Sequence, residues 1–124
     1  MTGELLFCAV ALAGGGGAGL RFVVDGAVRA RLGDGFPWGT WLVNLSGSFA
    51  LGLMTGLAAS TLLPDDLGLV LGTGLLGGYT TFSTAAVDTV LLAREGRHAA
   101  ALLNGVGMLV VAVVAAAAGY ALGA

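Results

Sequence analysis

The sequence is poor in charge, in cysteine and in proline. Charged residues make up 10% of its 124 positions, against the rough quarter usual in a soluble domain. So few charges cannot clothe a globule of this length. A single cysteine, Cys8, excludes an intrachain disulfide, and its apolar surroundings make it a packed bystander rather than a reactive thiol. A net charge of −2 leaves no basic patch, which excludes nucleic acid as a partner. Paired carboxylates, a nucleophile beside a base, and a metal-spaced Cys/His cluster are all missing, so enzymatic catalysis has no machinery here.

What is present is apolar length. Hydrophobic residues reach 57% and the mean hydropathy is +0.97. The charges cluster, leaving the windows 5–20, 35–64, 67–87 and 99–124 with none. A bilayer core of about 30 Å is crossed by roughly 20 apolar helical residues. The windows therefore predict an all-α membrane protein, one transmembrane domain over 1–124. Its spans are expected at about 4–27, 37–61, 66–93 and 98–122, embedded in a lipid bilayer. The opening Met-Thr-Gly-Glu has no basic stretch, so the first span is expected to be retained rather than cleaved as a signal peptide.

Small residues punctuate the spans. Gly14 to Gly17 form a run that would break a helix in water, but unpaired backbone is costly in lipid, so close neighbours are expected to hold it helical. Ser48, Gly52 and Gly56 fall four apart and predict a face where helix backbones touch. Trp38 and Trp41 are placed as interfacial anchors after Pro37.

The third span is too long and too polar. An unbroken helix over 66–93 would run about 42 Å, well past the hydrocarbon thickness. Its middle reads Gly77-Gly78-Tyr79-Thr80-Thr81-Phe82-Ser83-Thr84, a poor helix core. Two half-helices joined by an unwound stretch near 77–81 are expected. A kinked helix packed through Gly, Ser and Thr is the plainer alternative. An unwound stretch bares carbonyls suited to a small cation, while N–H groups, hydroxyls and the positive edge of the Phe82 ring suit an anion.

Other polar residues divide between structure and function. Asn44 is either a link between helices or a pore-lining donor sharing a face with Ser48. Asp88 reads as a hydrated carboxylate at the interface, and His98 as an interfacial residue at a span edge. The G-x-G-x-x-G of residues 72–77 has no preceding strand and is no nucleotide site.

Residues 39–49 (GTWLVNLSGSF) and 74–84 (GLLGGYTTFST), with 17–22 (GAGLRF), resemble the signature stretches of the Fluc/CrcB fluoride channels. The resemblance implies passive, selective fluoride export across a prokaryotic plasma or inner membrane, by an antiparallel dimer with two pores. It further implies a structural sodium ion at the dimer centre, held by the Gly77 and Thr80 carbonyls. Asn44 would line the pore, Phe82 would offer fluoride a ring edge, and Ser83 and Thr84 would be neighbours. The family pattern has a second phenylalanine where Ala85 stands and usually glutamate where Asp88 stands. Its polar residues in the last span have no clear match, with Asn104 and Met108 as the nearest positions.

All five basic residues are arginines, at 21, 29, 31, 94 and 97, in or beside the first and third connections. The positive-inside rule then predicts one fixed orientation with both termini outside. A fixed orientation favours pairing with an oppositely oriented paralogue over self-pairing. A small multidrug or cation exporter is the competing class, but no carboxylate lies deep in a span. A non-conducting structural partner subunit is the third.

Overall fold

Helix α1 runs over Gly3–Leu32 in the computed structural model, which describes residues 1–124. Thr2 caps it, its Oγ1 accepting from the Leu5 N–H at 3.2 Å. It continues beyond the expected 27 because Asp25 and Arg29, one turn apart, pair at 2.9 Å. Gly33, at φ 76°, then ends it and returns its N–H to the Arg29 carbonyl. The run from Gly14 to Gly17 stays helical throughout.

Helix α2 spans Trp38–Ala59. The third crossing is divided between α3, residues 65–79, and α4, Ser83–Arg94. Within α3 the Leu69–Leu76 stretch is wound in wider π-type turns. Helix α5, His98–Gly123, has a similar widening over Leu103–Gly107. Helices α1, α2 and α5 are each long and apolar enough to cross a membrane. The chain is a multi-pass all-α membrane protein.

Two parallel helix pairs build the body. In the first, α2 lies on α5 with Gly52 against the Ala116 carbonyl and Gly56 against that of Tyr120. Residue numbers rise together along both helices, so they run the same way. In the second, α1 lies on α3, with Gly17 against Leu75 and Tyr79 and Gly78 against the Gly14 carbonyl. A methyl group at Gly78 would overlap that oxygen. Without a hydrophobic drive inside lipid, such backbone approach is what packs the helices. The small-residue face expected from Gly52 and Gly56 is thus the α2–α5 seam, whereas Ser48 turns toward a groove.

The two ends are distinguishable. At one, Arg97 Nη1 donates to the Gly35 carbonyl, tying the α4–α5 turn to the α1–α2 loop. At the other, the Met1 amino group lies 3.5 Å from Asp66 and Ser60 Oγ donates to the Gly123 carbonyl at 3.1 Å. Only 18 of 124 residues are buried within one chain, so most of its lateral surface meets lipid or another subunit.

Candidate ion pathway

The break in the third crossing lies at residues 80–82, later than the expected 77–81. Gly77 and Gly78 remain helical within Gly77–Tyr79. The missing side chain of Gly78 serves the contact with α1, whereas a Cβ at Gly77 would meet only the Gly72 carbonyl of its own helix, at 3.9 Å. Thr80 is the first extended residue, at φ −79° and ψ 159°.

Asn44 on α2 bridges the gap left there. Its Oδ1 accepts from the Thr81 N–H at 2.8 Å, and its Nδ2 donates to the Thr81 carbonyl at 2.8 Å. The second Nδ2 hydrogen is directed at Met108 Sδ on α5, 3.3 Å away. Thr81 is buried, and its Oγ1 accepts from the Thr84 N–H at 3.2 Å while donating to Thr84 Oγ1 at 3.1 Å. Ser83 Oγ lies 3.5 Å from the same hydroxyl. The side chains of α2 and of the break itself replace a missing helical turn.

This arrangement strands particular main-chain oxygens. Because Thr81 N–H goes to Asn44, it does not reach the Gly77 carbonyl that a continuing helix would offer it. Because Thr84 N–H goes to Thr81 Oγ1, the Thr80 carbonyl is likewise left without it. Both residues sit at the chain's surface, Gly77 exposed and Thr80 half-buried. No cluster of His, Cys, Asp or Glu could hold a metal ion. A cation at this point would rest on carbonyl oxygens, which are hard ligands.

Beside the break, α2, α4 and α5 enclose a groove of about 510 Å³, open to the side. Asn44, Ser48, Thr80, Phe82, Ala85 and Met108 are among its walls. Phe82 is 88% exposed, so its ring stands clear of its own chain. Of the residues singled out from sequence, Asn44, Ser48, Thr80, Phe82, Asn104 and Met108 share this groove. Thr84 faces a separate cavity of about 240 Å³ behind the break, with Arg21, Asp25 and Thr40. Ser83 is exposed and borders neither.

Two expectations change. Asn104 is no open donor: 1% exposed, it accepts from Trp41 Nε1 at 2.8 Å and donates to Thr89 Oγ1 at 2.9 Å and the Ala85 carbonyl at 3.2 Å. It fastens α4 to α2 and α5. Asp88, half-buried beside an open cavity, gains a fixed partner as well, since it accepts from the buried Thr40 hydroxyl at 3.1 Å. Thr81 and Met108, both buried at the break, carry roles that residue type alone did not reveal.

Residues 8–120 match the family described as CrcB-like protein, Camphor Resistance (CrcB). The chain is 51% identical over 119 residues to fluoride-specific ion channel FluC 1 of Leifsonia xyli subsp. xyli, covering 96% of this chain and 87% of that one. It is 47% identical to FluC 2 of Mycolicibacterium paratuberculosis, covering 92% and 87%. The FluC of Thermus thermophilus is 41% identical, covering 92% and 91%. A broken third crossing pinned by Asn44, in a chain matched along nearly its whole length, belongs to the CrcB family of membrane proteins.

Proposed function

We propose that this chain is a subunit of a fluoride-selective channel that lets cytoplasmic fluoride leave passively. The observation that carries this is the helix break at residues 80–82, opening on a groove walled by Asn44 and overhung by Phe82. Fluoride is small, hard and tightly hydrated, so a path for it must replace water with N–H and O–H donors and ring edges. Asn44 and Ser48 supply the polar side of such a path, and Phe82 a ring edge. The fluoride-specific names of the relatives support the same substrate.

The pathway is completed by a second subunit in the opposite orientation. Phe82 has almost no cover in its own chain, and a ring so exposed at membrane depth fits the groove of a partner. The bare Gly77 and Thr80 carbonyls suit a sodium ion, but one chain offers only two such oxygens, and a facing partner with the same break would bring the set to four. Such an ion would supply fixed positive charge between the two breaks, holding them together.

That partner is a paralogue rather than a second copy. Four of the five arginines, at 29, 31, 94 and 97, sit at or beside the α1–α2 and α4–α5 connections, which Arg97 and Gly35 join at one end, while Arg21 lies about three turns inside α1. The positive-inside rule puts that end in the cytoplasm and both termini outside. Relatives with the numbered names FluC 1 and FluC 2 fit a pairing of unlike chains. Ala85, where the family pattern has a ring, favours a second reading in which this chain conducts only alongside its partner.

Fluoride efflux from liposomes, with this chain alone and with its paralogue, tests both. Flux selective for fluoride over chloride in either preparation supports the channel. Proton-driven drug efflux without fluoride flux would turn the assignment to an exporter. No flux of any kind would leave a structural subunit.

A further inference from the structure

Asn44 makes three hydrogen bonds, and they differ sharply in strength. The pair with Thr81 fixes the amide's orientation, because turning it over would set N–H against N–H and oxygen against oxygen. The remaining Nδ2 hydrogen is thereby aimed at Met108 Sδ, 3.3 Å away. A thioether is a weak acceptor, and the unbranched methionine side chain turns about three bonds. One amide hydrogen of Asn44 is therefore held by a poor and displaceable partner. Nothing else on α5 competes for it: the Asn104 amide is spent on Trp41, Ala85 and Thr89, and Leu109 and Ala112 carry no polar atoms.

We propose that Met108 sets how strongly this chain's groove holds an anion, by competing through Sδ for the free hydrogen of Asn44. The inference rests on the groove being the fluoride path. An anion reaching Asn44 takes the hydrogen over while the thioether swings aside, so the N–H is never left unpaired. Met108 is 5% exposed and lines the groove with Asn44, so the open space beside its sulfur is the groove itself. Methionine is thus an intermediate setting. An aliphatic residue of the same length would leave the hydrogen always open to the anion. A strong acceptor would hold it back.

Met108→Leu and Met108→Gln test this, since the two differ from methionine little in size and in opposite directions as acceptors. The half-saturating fluoride concentration for efflux should fall in Met108→Leu by about threefold to tenfold, the range one hydrogen bond carries, while Met108→Gln, whose own NH2 can also meet the anion, should move it by less. Side-chain amide NMR supplies a readout without fluoride: the Asn44 Nδ2 proton should move upfield in the leucine variant and downfield in the glutamine variant. An unchanged Thr81 amide resonance shows that both variants fold. Wild-type protein that passes no fluoride, either alone or with its paralogue, overturns the channel assignment. A conducting wild type, matched by both variants in half-saturation and in the Asn44 resonance, overturns the part given to Met108 alone.

Discussion

The indole N–H of Trp41 donates to the side-chain oxygen of Asn104 across 63 positions of sequence, at 2.8 Å. Asn104 passes the connection on to Thr89 and to the Ala85 carbonyl, so one amide joins α2, α4 and α5. Replacing it with leucine leaves the Trp41 N–H unpaired in an apolar site. A buried orphan of this kind costs about 1–3 kcal/mol. Asn104→Leu should lower the thermal midpoint in detergent and shift the Trp41 emission, while Asn104→Gln recovers part of both. Unaltered melting and emission would remove Asn104 from this role.

The clasp between Asn44 and Thr81 predicts a coupled loss. Asn44→Leu strips partners from both the Thr81 N–H and its carbonyl, each costing about 1–3 kcal/mol when left unmade. Fluoride efflux should be abolished and the protein measurably less stable. Full stability with lost efflux would mean that water replaces the clasp and that Asn44 acts only on the ion.

Glycines here differ by position rather than kind. A Cβ at Gly78 would run into the Gly14 carbonyl, whereas one at Gly15 would meet nothing within 4 Å. Gly78→Ala should therefore separate α1 from α3, at or above the 1–3 kcal/mol typical of overpacking. Gly15→Ala should be neutral or slightly stabilising, because alanine is the better helix former. Thermal melting of the pair distinguishes them, and equal effects would contradict the packing.

If few charges set the orientation, it should be easy to disturb. A reporter fused after Ala124 should be active on one side of the membrane only, the outer one. Removing Arg94 and Arg97 together should scatter it to both sides. An even split in the unaltered chain would refute a fixed orientation and with it the case for an unlike partner.

Much of this architecture could be read from residue order. Charge-free windows located the helices, and the stretch of residues 77–84 announced a break. What could not be read was its placement, because a glycine pair has two uses. Gly77-Gly78 looked like the weak point of a helix, yet Gly78 is bare so that α1 can approach, and the helix gives way at Thr80 instead. The α1 end was misjudged for a similar reason, since Asp25 and Arg29 neutralise each other and allow one more turn. Asn104 and Asn44 were alike in sequence, two amides in apolar spans. Only their partners separate them, and those lie up to 64 positions away. Long-range pairing carries no local signal.

The two halves of the third crossing are not equally anchored. The first is locked along α1 by backbone contact at Gly17 and Gly78, where no side chain intervenes to slide or flex. The second, Ser83–Arg94, packs on the opening turns of α5. That later half is gripped by side chains instead, Asn104 reaching Ala85 and Thr89 and Thr40 reaching Asp88, so grips of two different kinds meet at Thr80. A spin label on Val87 should gain mobility in Asn104→Leu while one on Thr73 stays as in the unaltered chain, because a backbone contact has no side chain to lose.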